Sequence, residues 1–382
     1  MAGRIERRLV PVMGSALRYA VVPLGSVAVS WVVVHRASMD LWSMVVAPLV
    51  LVQLAAHIAQ WGQRDLLLRI LSAGHLDGGQ IWRDNLLTRL PILLPAVAVP
   101  ALVTKLSVPW LLAWALASAL SGGFEPLVIR DKRFMAALGA DLAGLLAQCA
   151  MLLPPDALDA TIVIRSFAVH HVVRMLLLWW ACGAPRPWPA RSDAHVHIGQ
   201  AFPFVLIGLS GLLATRIDVY AVTAMGKGDL VGRYQVIAAL FVQFQVVPGL
   251  LARPFSTGMM RMDKDSLVAA SKRSAGWGAL LLIPQLVFAA AVMNFLFHIP
   301  LSWPVLVAGA FTVLPAYGYV PLYPILYQGR REHAVVVLSF VCAGVIAACA
   351  WLLVPRWGVA GGLAASALGQ WVQWAGMRML VR

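Results

Sequence analysis

The sequence contains few charged residues and few cysteines, and both shortages restrict what the protein can be. Only 12% of its 382 residues are charged, 61% are hydrophobic, and the mean hydropathy is +0.81. Because soluble domains carry about 25% charged residues, the chain is predicted to be an integral membrane protein. The four cysteines, Cys149, Cys182, Cys342 and Cys349, lie in apolar runs without a Cys-x-x-Cys spacing. Neither a disulfide framework nor a zinc site is indicated.

Sequence motifs of soluble enzymes are also missing. The chain has no P-loop, no Gly-x-Ser-x-Gly, no His-Glu-x-x-His and no dinucleotide fingerprint, so an enzyme is not predicted and no cofactor is expected. His170 and His171 are adjacent, but neighbouring positions point to different sides of a helix, and no metal site is expected either. The chain has no room for a nucleotide-binding domain. Any energy source must be an ion gradient, a partner or the substrate's own gradient.

Long apolar runs dominate the sequence. Crossing the hydrocarbon core takes about 20 apolar residues in a helix, and cutting the chain at charged or Pro/Gly-rich breaks predicts an all-α polytopic protein with about twelve transmembrane helices. The predicted helices are Ser15–His35, Asp40–Gly62, Leu86–Leu106, Val108–Ile129, Phe134–Leu153, Ala157–Cys182, Ile198–Ala224, Leu230–Phe255, Gly276–His298, Trp303–Gln328, His333–Val354 and Gly358–Val381.

The net charge of +14 has a clear distribution along these helices. With a cytoplasmic N-terminus, 21 of the 30 Lys and Arg residues fall on the cytoplasmic side and five on the far side, counting those at the adjoining span ends, and four fall well inside spans. Positive residues concentrate in cytoplasmic loops, so both termini are predicted to be cytoplasmic. The basic balance is a topology signal, and no nucleic-acid partner is expected. The first apolar run is predicted to be a retained span, because no cleavage pattern follows it.

A polar, proline-rich stretch near the middle divides the chain. Residues 183–197 are predicted to be a cytoplasmic linker between an N-terminal lobe of six helices, 1–182, and a C-terminal lobe of six helices, 198–382. An internal repeat supports this division, because Pro126 and Arg133 recur at Pro324 and Arg331 with an offset of 198 residues. Six helices per repeat is an even number, so the two halves would form a parallel repeat.

Several ionisable residues fall inside predicted spans, where a charge costs several kcal/mol or needs a partner. Helix 6 carries Arg165, His170, His171 and Arg174, a stripe that needs water or an anion beside it. Arg18 lies one turn into helix 1, where it either joins this stripe or reaches the interface.

Two carboxylates lie near these cations. Asp141 in helix 5 is expected to pair with Arg165 or Arg18, or to take up a proton during transport. Arg216 and Asp218 lie toward the end of helix 7, about 27 Å from its start, and form either an outer gate or a harmless span end. Helix 10 is predicted to be broken between Pro315 and Pro324, because prolines remove backbone donors.

These residues resemble a known family. The pattern Arg216-Ile217-Asp218, then Val231-Gly232-Arg233-Tyr234, then Pro248 and Pro254, together with residues 354–362, is similar to that of the bacterial polysaccharide, or O-antigen, flippases. These proteins belong to the multidrug, oligosaccharidyl-lipid and polysaccharide exporter superfamily. The resemblance covers essentially the whole chain.

The resemblance implies two lobes around a central cavity that opens to alternate faces of the bacterial inner membrane. The implied substrate is an undecaprenyl-pyrophosphate-linked oligosaccharide, moved outward for O-antigen, capsule or exopolysaccharide synthesis. The implied partners are membrane lipids, H⁺ or Na⁺, and the polysaccharide polymerase machinery. Arginine suits a phosphate because it keeps its charge and offers two donors. The expected substrate contacts are Arg165, Arg174, Arg216, Arg18, His170 and His171, with Asp218 and Asp141 orienting them or coupling to the ion.

Three other functions remain open from the sequence. A drug or cation antiporter of the same superfamily would need an acidic cavity, whereas arginines outnumber carboxylates in these spans. A membrane polymerase or glycosyltransferase would need a large extramembrane loop with catalytic carboxylates, whereas the longest connection, 63–88, holds only Asp65, Asp77 and Asp84. A scaffold without transport is disfavoured by the intramembrane charges.

Overall fold

The computed structural model describes residues 24–63, 66–67, 70, 78–154, 157–183, 198–225, 228–252, 262–329 and 331–382, together with Leu17, Val21 and Met259. Arg18 and residues 184–197 of the predicted linker lie outside the described residues. Every regular element within these ranges is helical, so the predicted all-α fold class is confirmed.

The described helices are numbered α1 to α13 in chain order. They are α1 (Leu24–Arg36), α2 (Met39–Gln60), α3 (Gly78–Thr104), α4 (Val108–Gly123), α5 (Glu125–Arg130), α6 (Phe134–Leu152), α7 (Ala160–Ala181), α8 (Ile198–Ala224), α9 (Gly228–Ala252), α10 (Lys264–Ala291), α11 (Trp303–Tyr319), α12 (Tyr323–Gln328) and α13 (Glu332–Val381). Ten described stretches are long and apolar enough to cross a membrane. The chain is therefore a multi-pass membrane protein, while twelve spans remain a prediction.

Helix α13 is too long for a single crossing. Its 50 residues would extend about 75 Å if straight, more than twice the hydrocarbon thickness. Gly358 interrupts it with φ 54° and ψ −126°, and the chain folds back. The two arms touch where Cys342 Sγ donates to Gln373 Oε1 at 3.0 Å and where Gly369 lies against Ile346. The predicted boundary between helices 11 and 12 is confirmed at this glycine.

The predicted break in helix 10 is also confirmed. Helix α11 ends at Tyr319, a 3₁₀ turn spans Val320–Leu322, and α12 resumes at Tyr323. Pro321 lies inside the turn, where its missing N–H leaves no helical hydrogen bond to lose.

The predicted start of helix 9 at Gly276 is wrong. Helix α10 begins at Lys264, because Asp263 caps it by accepting a hydrogen bond from the Ser266 N–H at 3.0 Å. The hydrogen bonds from Ser266 hold the pKa of the Asp263 carboxyl below its usual range. Hydropathy located only the apolar part of this helix, since all of its charged residues lie in its first three turns.

The chain divides into two compact units, Met1–Leu209 (unit 1) and Ser210–Arg382 (unit 2). In unit 1, α7 packs against α6 and α4, and α2 packs against α3. In unit 2, α11 packs against α10 and α13. The division lies inside α8, beyond the predicted linker, so the lobe boundaries at 182 and 198 remain predictions.

Arginine side chains close the C-terminal ends of several helices. The last carbonyls of a helix have no partner within it and carry the negative end of its dipole, and a neighbouring guanidinium satisfies them in four places. Arg36 donates to Leu152 O (2.7 Å) and Leu153 O, Arg89 to Ala59 O (2.9 Å) and Gln60 O (3.2 Å), Arg133 to Ala181 O, and Arg331 to Leu380 O (2.9 Å). Part of the positive excess is therefore structural.

Two of these contacts correspond across the predicted repeat. Arg133 precedes α6 and closes α7 at Ala181, whereas Arg331 precedes α13 and closes its second arm at Leu380. The arginines are 198 residues apart and the carbonyls 199. This match supports the internal repeat, which remains a prediction.

The substitution Arg89→Met is expected to destabilise the protein. Arg89 is 2% exposed, so its loss leaves the carbonyls at the end of α2 unpaired at a cost of about 1–3 kcal/mol. Arg331→Met is the matched control, because water can replace its exposed contact to Leu380. Thermal unfolding in detergent should show a clear fall in Tm for the first variant and little change for the second. Equal Tm values would contradict the assigned capping role.

The substitution Gly358→Ala is expected to cost about 1–3 kcal/mol of stability, because φ near +54° with ψ near −126° is accessible almost only to glycine. Packing does not contribute, since the nearest atom to an added Cβ is 3.7 Å away. Gly344→Ala in the first arm of α13 is the control. It meets no atom within 4 Å and should be neutral or slightly stabilising. Both variants can be compared by chemical unfolding in micelles.

Candidate functional site

A buried ion pair joins two helices of unit 1. Asp141 on α6 is 2% exposed and accepts a hydrogen bond from Nε of Arg174 on α7. Nη1 of the same arginine donates to Oγ of Ser121 on α4 at 2.9 Å. One guanidinium thus connects α7 to α6 and α4, the two helices against which α7 packs most closely.

Of the two predicted partners of Asp141, Arg165 does not contact it and Arg18 lies outside the described residues. Asp141 was expected to meet Arg165 or Arg18, but its arginine partner among the described residues is Arg174. Arg165 lies nine residues, or about 14 Å, nearer the start of α7. Its side chain is exposed and its guanidinium lies 5.0 Å from the centre of the Trp110 ring. The predicted cationic stripe is therefore divided, since the charge of Arg174 is neutralised and that of Arg165 is not.

A polar cavity of about 210 Å³ lies beside this pair. Asp141 and Gln148 line it from α6, His170 and His171 from α7, and Gln53 from α2. Although neighbouring positions point to different sides of a helix, both histidines line this cavity and their ring centres are 4.8 Å apart. Gln148 is 2% exposed, and its Nε2 has no hydrogen-bond partner in the described structure. The cavity can hold water or a proton between titratable groups.

A second buried carboxylate lies in unit 2. Asp218 on α8 is 3% exposed and accepts hydrogen bonds from Tyr234 Oη on α9 at 2.5 Å and Ser366 Oγ on α13 at 2.6 Å. Gly362 makes this possible, because a Cβ there would lie 2.3 Å from the Tyr234 ring. Two hydroxyl donors hold Asp218, with no cation in hydrogen-bond contact among the described side chains.

A second contact lies one helical turn from the first. Gln370 Nε2 donates to Ala214 O at 3.4 Å, and Gln370 Oε1 accepts from Tyr319 Oη at 3.0 Å. Ala214 precedes Asp218 by four residues, as Ser366 precedes Gln370, so the two contacts share one face of each helix. They attach the end of α8 to the second arm of α13.

Arg216 does not join this arrangement. It is two positions from Asp218, which places it on nearly the opposite face of α8, and the two side chains form no ion pair. Arg216 is half-buried, and it makes no hydrogen bond or ion pair to any described residue. Arg216 and Asp218 are therefore neighbours in sequence without a direct contact between their side chains.

Sequence reasoning missed the partners of Asp218. Tyr234 lies in the stretch 231–234 that carried the family resemblance, so a signal was available without a role attached to it. Ser366 lies 148 residues from Asp218, and nothing local in its sequence marks it. Similarly, Ser121 carried no signal as a partner of Arg174.

Removing one partner of the Asp141–Arg174 pair should be more harmful than removing both. Asp141→Asn or Arg174→Met leaves a buried charge uncompensated, at a cost of about 3–5 kcal/mol, and the double variant should lose less than the sum. Asp229 and Arg233, an exposed pair at 2.8 Å, provide the control cycle with a coupling below about 1 kcal/mol. Unfolding in micelles measures both cycles. Additive losses at Asp141 and Arg174 would refute the ion pair.

Comparisons with known proteins were made for sequence and for fold. No family model matches the chain, and no curated protein sequence matches it. Among solved structures, the chain is similar to the lipid II flippase MurJ in an inward closed conformation, with a TM-score of 0.72 and 9% identity over 98% of this chain and 87% of that one.

Two multidrug transporters of the MATE family are similar as well. An inward-facing MATE transporter of the MOP superfamily gives a TM-score of 0.64 at 13% identity, covering 96% of this chain and 98% of that one. The MATE multidrug transporter DinF-BH, in a ligand complex, gives 0.61 at 11% identity, covering 97% and 93%. At these identities the likeness concerns the fold. The chain therefore has the fold shared by these flippase and MATE transporter structures.

Proposed function

We propose that the protein is a flippase that moves an undecaprenyl-pyrophosphate-linked oligosaccharide from the cytoplasmic to the outer leaflet of a bacterial inner membrane by alternating access. The product would supply O-antigen, capsule or exopolysaccharide synthesis, and the polymerase machinery would receive it. Both termini would be cytoplasmic. The likeness to a lipid II flippase over 98% of the chain supports a lipid-linked substrate.

The main support for the proposal is that two arginines within spans lack an ion-pair partner among the described residues. Arg165 and Arg216 lie within candidate spans, and neither forms an ion pair with a described residue. An arginine at the centre of a span costs about 2.5 kcal/mol or more, and neither guanidinium forms an ion pair with a carboxylate among the described residues. An anionic substrate provides the missing partner, and a pyrophosphate accepts two guanidinium hydrogen bonds at once.

The other predicted contacts have different roles in this proposal. Arg174 is held by Asp141, so it positions α6 and α7 rather than offering a free charge. His170 and His171 line the polar cavity with Asp141, where they are suited to a proton pathway. Arg18 remains a proposed substrate contact.

The two buried carboxylates are proposed to couple transport to H⁺ or Na⁺. Asp218 suits this role better than Asp141, because two neutral hydroxyls hold it and either charge state keeps hydrogen bonds. Asp141 already forms an ion pair with Arg174.

A drug or cation antiporter is the second candidate. The MATE structures and the buried Asp218 support it, since a cationic drug requires carboxylates. The two unneutralised arginines favour the flippase, because they would repel a cation. An enzyme and a passive scaffold have no observation in their support.

Arg216→Ala and Arg165→Ala are expected to impair flipping in a strain that lacks the native gene. Losing a charge-assisted hydrogen bond worth about 1.5–3 kcal/mol predicts a fall in transport of about 10- to 100-fold for each. Lipid-linked repeat units should accumulate on the cytoplasmic face, and surface polysaccharide should fall. Lysine at either position should restore part of the activity, because it keeps the charge but not the planar pair of donors.

Lys272→Ala is the matched control, since this exposed cation on α10 has no proposed substrate contact. It should leave surface polysaccharide unchanged. Full activity of both arginine variants at normal protein level would reject the anionic substrate. Loss of resistance to cationic drugs in a deletion strain, with normal polysaccharide, would establish the antiporter instead.

A further inference from the structure

An apolar groove of about 910 Å³ lies in unit 2 between the start of α11 and the second arm of α13. Its volume is in the range of small-molecule sites. Phe311 lines one side, and Ala360, Ala364 and Trp371 line the other. The two alanines are one turn apart on the same face, so they leave recesses between the larger side chains.

The interior of the groove offers no free hydrogen-bonding side chain. Ser302 at one end is the single polar residue in its lining, and the other lining residues are apolar. The indole N–H of Trp371 donates to Phe311 O at 3.1 Å, so it is already satisfied. A ligand inside the groove must therefore present hydrocarbon.

The groove is elongated and runs along the candidate spans. Ala360 to Trp371 covers eleven residues, or about 16 Å of helix, which is roughly half the hydrocarbon thickness of a bilayer. This shape fits an extended chain that follows the helices rather than a compact molecule.

One end of the groove is polar and cationic. Trp303 and Trp357 are 76% and 61% exposed, as expected for indoles at a membrane interface. Arg356 precedes Trp357, is exposed, and forms no ion pair or hydrogen bond with the described part of the chain. This end of unit 2 therefore presents a free guanidinium, then two interfacial indoles, and then the apolar groove. That arrangement matches a lipid with an anionic head.

We propose that the groove between α11 and the second arm of α13 binds the hydrocarbon chain of a polyprenyl phosphate, with Arg356 against the phosphate. This inference rests on the proposed function and adds a binding site for the lipid carrier within unit 2. The hydrocarbon chain of the lipid lies in the groove, and its phosphate head lies at the membrane interface.

The spacing of the recesses favours a polyprenyl chain over a straight acyl chain. Positions 360 and 364 are one helical turn apart, about 5.4 Å. Methyl branches recur at every fourth carbon of a polyprenyl chain, a similar interval along an extended chain. A linear acyl chain has no branches to place there and would leave the recesses empty.

The test measures lipid retention directly. The protein is placed in nanodiscs of dioleoyl phosphatidylcholine containing equal small amounts of undecaprenyl phosphate and dioleoyl phosphatidic acid, and native mass spectrometry counts the lipids that remain bound. We expect about tenfold or greater preference for undecaprenyl phosphate. Ala364→Phe should remove most of this preference, because its ring fills a recess. Ala348→Phe, an exposed position in the first arm of α13, is the control and should retain it.

Two further variants distinguish a specific loss of lipid binding from misfolding of the protein. Ala360→Leu is a smaller change that should reduce retention less than Ala364→Phe. Arg356→Gln should weaken retention of undecaprenyl phosphate but not of neutral undecaprenol. Equal retention of both lipids, or retention unchanged by both alanine variants, would overturn the groove assignment. The assay involves no transport, so full flipping by the Arg165 and Arg216 variants would reject the proposed function and leave the groove result standing.

Discussion

The requirement that polar groups inside a bilayer find partners within the protein governs this structure. A helix end or a charge that lies away from water must be satisfied by the protein itself, and arginine side chains supply many of the donors here. Arg36, Arg89, Arg133 and Arg331 donate to the terminal carbonyls of neighbouring helices. Each contact fixes where one helix ends relative to the next. The excess of arginine that indicates the membrane topology therefore also contributes to the packing of neighbouring helices.

The two buried carboxylates meet the same requirement in opposite ways. Asp141 has a guanidinium partner, and that guanidinium connects α4, α6 and α7. Asp218 has a tyrosine and a serine, both of them neutral hydrogen-bond donors. A carboxylate held by neutral donors can change protonation without leaving a buried cation unpaired. This difference between the partners is the reason why ion coupling is proposed for Asp218 rather than for Asp141.

The proposed substrate would bind the charged groups that have no ion-pair partner within the described part of the protein. Arg165 and Arg216 form no ion pair with a described residue, and Arg356 adjoins Trp357, which lines the apolar groove in unit 2. A polyprenyl-pyrophosphate-linked sugar combines the chemistries that these features recognise, a doubly acidic head and a long branched hydrocarbon. A cationic drug would find carboxylates that are already hydrogen-bonded and arginines that repel it.

The sequence alone determined the fold class, the extent of most spans, the broken tenth helix and the turn at Gly358. These follow from hydropathy, proline and glycine, which act over a few residues. Only the tertiary structure decided the partners. Asp141 pairs with Arg174 rather than with Arg165. Ser366 donates a hydrogen bond to Asp218, although the two residues are 148 positions apart in the sequence. Arg216 lies on nearly the opposite face of α8 from Asp218. Such pairs depend on helix rotation and on which helices pack together, and a series of similar apolar segments carries little information about either.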